Sequence, residues 1–214
     1  MRYLVSLVLT LILIIGTAIP GQLYGQNKKE VSSRIGIFEQ EPAHQTTFEK
    51  HNKLVRNGMI VLGSWALLNI GIGGVGSYYS SSDPRYFHQG NALWNTVNLA
   101  IASGGLWSAL NATSPGTAAG VLGEIHNMNN ILLFNAGLDV GYMALGAYLW
   151  ERGIRKDSAR FRVYGKAVIL QGAFLFGFDL ILYSLNKPYA GKLLNALDHV
   201  SVSARGVTLS FGIG

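Results

Sequence analysis

Residues 59–79, MIVLGSWALLNIGIGGVGSYY, form an uncharged apolar run that decides the fold. Its length is enough to cross a hydrocarbon core of about 30 Å as a helix. Three more apolar stretches follow, at about residues 87–110, 129–150 and 164–185. Because backbone groups in lipid must satisfy one another, each stretch is expected to be helical. The sequence therefore predicts an all-α integral membrane protein, built as a bundle of four transmembrane helices.

Composition supports a membrane protein and excludes several other classes. Only 13% of the residues are charged and 49% are hydrophobic, with a net charge of +6. The basic residues cluster outside the apolar stretches and are not interleaved with aromatic residues, so the expected partner is the lipid bilayer and not nucleic acid. Because the chain has no cysteine, disulfides and thiolate metal sites are excluded.

The N-terminus has the features of an export signal. Arg2 precedes an apolar run from Leu4 to Ile19, and a small residue, Gly25, stands at the expected cleavage position. We predict a signal peptide over residues 1–25, either cleaved or retained as a fifth span, and an exported polar linker over residues 26–45. The pattern Thr46-Thr47-Phe48-Glu49 is a capping box, which predicts the start of the first helix.

The loops predict an orientation. Several basic residues, from Arg152 to Arg162, crowd the connection between the third and fourth stretches, whereas the connection between the second and third has no Lys or Arg. The positive-inside rule places the first connection in the cytoplasm and the second outside. With an exported N-terminus, the prediction is a multi-pass protein of the bacterial inner membrane whose two termini are both exported.

The C-terminal region has a different pattern. Residues 200–211 alternate between apolar and polar around Arg205-Gly206, which predicts a short β-hairpin. We therefore divide the mature chain into a four-helix transmembrane domain, residues 46–187, and an exported C-terminal tail, residues 188–214.

The four stretches also contain an internal repeat. Asn69-Ile70-Gly71 in the first matches Asp139-Val140-Gly141 in the third, and Gln89-Gly90 in the second matches Gln171-Gly172 in the fourth. The match predicts that the bundle arose from a duplicated two-helix unit whose copies share one orientation.

Polar residues near mid-depth are the candidate site. A carboxylate at the centre of a membrane costs about 2.5–3.5 kcal/mol on insertion scales, so such groups should face the bundle interior. They are either interhelical hydrogen-bond partners or a buried proton, ion or small-ligand site. The candidate residues are Asn69, Asn91, Asn95, Asn98, Asn135, Asp139 and Asp179.

A glycine-rich motif at residues 71–76 matches G-x-G-x-x-G but lies inside an apolar helix, so we interpret it as helix packing and not as a dinucleotide site. The packing residues are Gly73, Gly76 and Ser77. The sequence predicts no catalytic constellation, no metal site and no cofactor, which disfavours an enzyme.

The blocks Tyr86-Phe87-His88-Gln89 and Trp94-Asn95-Thr96-Val97-Asn98 resemble an uncharacterised family of small bacterial multi-span membrane proteins, over about residues 46–186. The resemblance implies residence in the inner membrane and carries no activity. Two hypotheses remain. The first is a structural or partner-binding membrane protein, whose partner is a second copy or another membrane protein. The alternative is a small proton- or ion-coupled transporter that uses Asp139 and Asp179.

Overall fold

A computed structural model describes residues 43–198, 200–203 and 206–209. The predicted signal peptide and most of the predicted linker lie outside these residues. The described chain consists mainly of four helices: α1 (Ala43–Tyr79), α2 (Ser82–Leu110), α3 (Ala118–Arg155) and α4 (Ala159–Asp198). α1 already includes Ala43, so Thr46 lies within the helix and does not cap it.

The helices pack as two antiparallel pairs. α1 lies along α2, with Gly63 facing Ala102 and Gly73 facing the backbone of His88. α3 lies along α4 in the same way, and α2 and α4 join the pairs. Short connections at residues 80–81 and 156–158 allow each pair to turn back on itself.

A bundle of four transmembrane helices was predicted, and this prediction is wrong. Three helices, α1, α3 and α4, are long and apolar enough to cross a membrane. α2 does not meet the same criterion, because polar residues recur along it from Gln89 to Asn98. Its asparagines at positions 91, 95 and 98 are buried, so the polar face of α2 points into the bundle.

The three apolar helices are much longer than the predicted spans. At 1.5 Å per residue, helices of 37, 38 and 40 residues extend about 55–60 Å, roughly twice the thickness of a hydrocarbon core. The extra length collects at one end of the bundle, where the beginnings of α1 and α3 meet the end of α4. Five buried side chains form a small core there, which we call the distal core: Phe48, Val121, Ile125, Ala190 and Leu193.

The fourth helix was expected to end at Asn186-Lys187-Pro188, and this boundary is also wrong. Pro188 lies inside α4, which continues to Asp198. Proline removes one backbone hydrogen bond from a helix interior. Burial of Ala190 and Leu193 in the distal core offsets that loss, so tertiary packing overrides the local signal.

Two short segments after α4, Val200–Ser203 and Gly206–Leu209, pair antiparallel with Val200 opposite Leu209. A pair of four-residue strands is too small to be stable alone, so the fold is all-helical and the C-terminal β-hairpin in the predicted fold class is wrong. The predicted class is therefore corrected to a helical bundle in which three helices have transmembrane character.

Candidate functional site

A closed ring of hydrogen bonds joins α1, α2 and α4 inside the bundle. Asn91 Nδ2 donates to Asn69 Oδ1 at 2.7 Å, and Asn69 Nδ2 donates to the Trp65 carbonyl at 2.8 Å. Trp65 Nε1 donates to Gln171 Oε1 at 3.1 Å, and Gln171 Nε2 donates to Asn91 Oδ1. We call these four residues the amide ring. Each primary amide in it both donates and accepts, so these polar groups find their hydrogen-bond partners within the protein.

The asparagine face of α2 extends the network toward the distal core. Asn95 is fully buried, and its Nδ2 donates to the Asn91 carbonyl at 2.8 Å. Asn98 is also buried and donates from Nδ2 to Asn95 Oδ1 at 3.3 Å. Residues spaced three and four apart lie on one helical face, which explains why these three asparagines follow one another along the interface.

Asp139 and Asp179 form a separate pair between α3 and α4. Both side chains are buried, with 3% and 6% of their surfaces exposed, and their carboxyl groups hydrogen-bond each other. A hydrogen bond between two carboxyl groups requires a proton on one of them. Asp139 Oδ2 receives no hydrogen bond from any N–H or O–H donor in the part of the chain that the structure describes. The pair thus depends on its own proton.

The amide ring and the carboxyl pair are neighbours. Gly172 follows Gln171 on α4, and a Cβ placed on it would lie 3.1 Å from the Asp139 carbonyl. Tyr142 interacts electrostatically with Asp139, and its ring packs edge-on against Trp94 of α2 at a centroid distance of 5.0 Å. The absence of a side chain at Gly172 lets α4 lie close to the backbone of α3 at Asp139.

The candidate residues do not form one cluster. Asn69 and Asn91 belong to the amide ring, Asn98 is bonded to Asn95, and the two aspartates bond each other. Asn135 is half-buried one helical turn before Asp139. In the predicted repeat Asn69 corresponds to Asp139, and a shift of one residue also sets Asn98 against Asp179. Asn69 bonds Asn91 instead of Asn98, so the hydrogen bonding of the two halves differs.

Sequence analysis missed two members of the amide ring, Trp65 and Gln171. Gln171 appeared only as a match to Gln89 in the repeat, although a fully buried glutamine in an apolar helix requires partners. Trp65 precedes Asn69 by one helical turn, so its carbonyl and indole lie on the same face. Both residues could have been found by listing every polar group within the apolar stretches.

A second set of buried polar side chains, which sequence analysis also missed, lies beside the distal core. His51 Nδ1 is 2.6 Å from Asn186 Oδ1, and Asn186 Nδ2 donates to Asn129 Oδ1 at 2.9 Å and to the Ile125 carbonyl at 3.2 Å. All three side chains are buried. Together they connect α1, α3 and α4, and we call them the distal triad.

The glycines proposed for helix packing lie at the contact between α1 and α2. A Cβ on Gly73 would lie 2.7 Å from the His88 carbonyl, and one on Gly76 would overlap the His88 ring. The hydroxyl of Ser77 bonds within its own helix and not across this contact, since it donates to the Gly74 carbonyl at 2.9 Å.

The arrangement offers proton chemistry more readily than metal chemistry. Among the residues that the structure describes, no three or more His, Asp or Glu side chains lie together so that they could hold a metal ion. The amide ring is internally bonded, whereas the hydrogen bond within the carboxyl pair requires a proton on one of its two members.

Comparison with known proteins gives a family and nothing beyond it. No curated protein and no solved structure matches this chain. One family model matches residues 61–180, a range that contains the amide ring and the carboxyl pair and excludes most of the distal core. This chain therefore belongs to DUF6992, a family of unknown function.

Proposed function

We propose that this protein is a bacterial inner-membrane protein whose Asp139–Asp179 pair binds and releases a proton within the bundle. The observation that carries the proposal is the contact between two buried carboxyl groups with no other donor on Asp139 Oδ2. An ionisable group inside a membrane is costly to insert, and such groups commonly mark proton or ion pathways.

The surroundings of the pair support this function. Neither carboxyl has a basic side chain among its electrostatic partners in the described part of the chain. A structural ion pair would need such a cation, and a structural amide pair would need no carboxyl at all. Asparagine is already accommodated nearby, in the amide ring. Two carboxyls therefore supply something that amides do not, namely a proton that can leave.

Infrared spectroscopy of the purified protein in lipid tests the proposal. Wild-type protein should show a protonated-carboxyl band that changes between about pH 5 and pH 9, and Asp139→Asn with Asp179→Asn should remove that change. The matched control is Glu124→Gln, which removes a carboxyl near the distal triad and should leave the band in place. A wild-type band that does not respond to pH would contradict proton exchange.

A structural or partner-binding role is the second candidate, and the closed amide ring favours it. Interhelical hydrogen bonds in membranes contribute about 0.6–2 kcal/mol each, so the ring alone can fix the packing of three helices. The double asparagine variant separates the candidates in cells. If the variant folds, inserts and still complements a deletion strain, the carboxyls have no role beyond packing. Loss of complementation by the folded variant supports proton binding.

A further inference from the structure

A groove between α3 and α4 lies beside the distal triad, on the outer surface of the bundle. Its volume is about 590 Å³. The lining residues used in the argument below are Asn129, Asn130, Tyr183, Lys187 and Gly191. We propose that this groove holds the phosphate headgroup of an anionic phospholipid. This inference is independent of the proton-binding function proposed above.

The groove lies at the boundary between polar and apolar surface. On α3, the polar stretch ends at Asn130, and exposed apolar side chains follow at Leu133 and Phe134. On α4, exposed Ile181 and Leu185 come before Lys187. The apolar side chains are suited to acyl chains. The polar residues lie where headgroups would be found.

The charge of the groove suits an anion. Lys187 contributes a cation, and among the residues that the structure describes no Asp or Glu lines the groove. Glu124, which precedes the groove residues on α3, interacts electrostatically with His51 of α1. A lysine at the membrane surface attracts the phosphate of an anionic lipid electrostatically.

Two neighbouring contacts fix the polar groups. Lys187 Nζ lies 5.8 Å from the centre of the Tyr183 ring, and both side chains line the groove. Asn129 accepts from Asn186 through Oδ1, so its amide N–H₂ can donate toward the groove. Asn130 is exposed beside it. A phosphate would thus meet one cation and two amide donors. One of these donors, Asn129, belongs to the distal triad, which connects three helices.

Native mass spectrometry of the full chain in detergent tests this site. The probes are phosphatidylglycerol, which is anionic, and phosphatidylcholine, which is not. Wild-type protein should retain phosphatidylglycerol preferentially. Lys187→Gln should weaken that binding about fivefold, the factor equivalent to about 1 kcal/mol for one lysine near a lipid phosphate. Lys187→Arg should restore it.

Lys192→Gln is the matched control for charge. Lys192 is also an exposed lysine of α4 placed over a tyrosine ring, that of Tyr189, but it does not line the groove. Its replacement should leave the preference for phosphatidylglycerol unchanged. An equal loss in both variants would show general charge attraction and would overturn the assigned site.

A steric variant tests the groove without changing charge. No atom lies within 4 Å of a Cβ built on Gly191, so the backbone there has room for a side chain, and Gly191→Leu should also displace the lipid. Gly123→Leu, at another open position near the same end, should not. Equal retention by wild type and Gly191→Leu would overturn the proposal.

Inorganic phosphate distinguishes the source of the anion. Millimolar phosphate should fail to displace phosphatidylglycerol, because it lacks acyl chains to lie on Ile181 and Leu185. Displacement by phosphate alone would assign the groove to a soluble anion and contradict the lipid proposal. Absence of any preference for phosphatidylglycerol over phosphatidylcholine in wild type would contradict it as well.

Discussion

His51 Nδ1 lies 2.6 Å from Asn186 Oδ1, although 135 positions separate the two residues in the chain. Asn186 uses its Nδ2 to donate to Asn129 and to the Ile125 carbonyl, which orients its Oδ1 toward α1. An amide oxygen only accepts, so Nδ1 of His51 carries the hydrogen in this contact. The beginning of α1 is thereby fixed to α3 and α4 beyond the predicted spans.

Asn186→Ala should destabilise the protein by about 2–3 kcal/mol. The change removes three hydrogen bonds and leaves buried groups on His51 and Asn129 without partners. Each buried polar group left without a partner costs about 1–3 kcal/mol, less where the neighbouring structure rearranges. Unfolding in detergent, followed by fluorescence, measures the effect. Asn127→Ala is the control, because Asn127 is exposed on α3 and its loss should stay within about 0.5 kcal/mol. Equal stability of the two variants would contradict a structural role for the triad.

The distal triad and distal core illustrate what the sequence could not predict. The ends of α1 at Tyr79 and of α2 at Leu110 agree with the predicted boundaries, because polar loop residues follow both. The helical segment before Met59 was predicted from the capping box at Thr46, and the helix begins three residues earlier, at Ala43. After Leu185 the chain is mixed in polarity and contains Pro188, which is typical of a helix end. It stays helical because it packs against the beginnings of α1 and α3, and contacts across more than 100 positions are not visible in local periodicity.

The candidate site was predictable in part for a related reason. Membrane depth alone indicates that Asn69, Asn91, Asp139 and Asp179 face inward, and all four are buried. Depth does not determine which polar group meets which. That pairing depends on the rotation of each helix and on glycines such as Gly172, so the division into an amide ring and a carboxyl pair required the structure.

Breaking the amide ring should weaken the bundle without abolishing it. Asn91→Ala removes the bonds to Asn69 and Gln171, and membrane hydrogen bonds contribute about 0.6–2 kcal/mol each. We expect a loss of about 1–3 kcal/mol in unfolding free energy. Thr96→Ala is the matched control on α2, since the Thr96 hydroxyl donates only within its own helix and is exposed. If the two variants lose equal stability, the ring does not hold the helices together.

The contact between α3 and α4 should be sensitive to a single methyl group. A Cβ on Gly146 would lie 2.8 Å from the Gly165 carbonyl and 2.9 Å from the Ile169 backbone nitrogen, so the two backbones would have to separate. Gly146→Ala should therefore cost about 1–3 kcal/mol, as overpacking does. Gly177→Ala meets no atom within 4 Å and should raise stability by up to about 1 kcal/mol through helix propensity. Thermal unfolding that ranks the two variants in the opposite order would refute this contact.

The orientation in the membrane can be measured directly, because the chain has no cysteine and the unmodified protein serves as its own unlabelled control. Thr113 lies in the exposed connection between α2 and α3, and Lys156 lies in the exposed turn between α3 and α4. These connections are at opposite ends of α3, a helix long enough to cross the bilayer. Basic residues near the second connection, including Arg152 and Arg160, favour its placement in the cytoplasm.

We expect an impermeant maleimide added to intact cells to label Thr113→Cys, and to label Lys156→Cys only after the cells are opened. The reverse pattern would invert the proposed orientation. Labelling of both in intact cells would mean that α3 does not cross the membrane, which would remove the carboxyl pair from lipid and with it the basis of the proposed proton site.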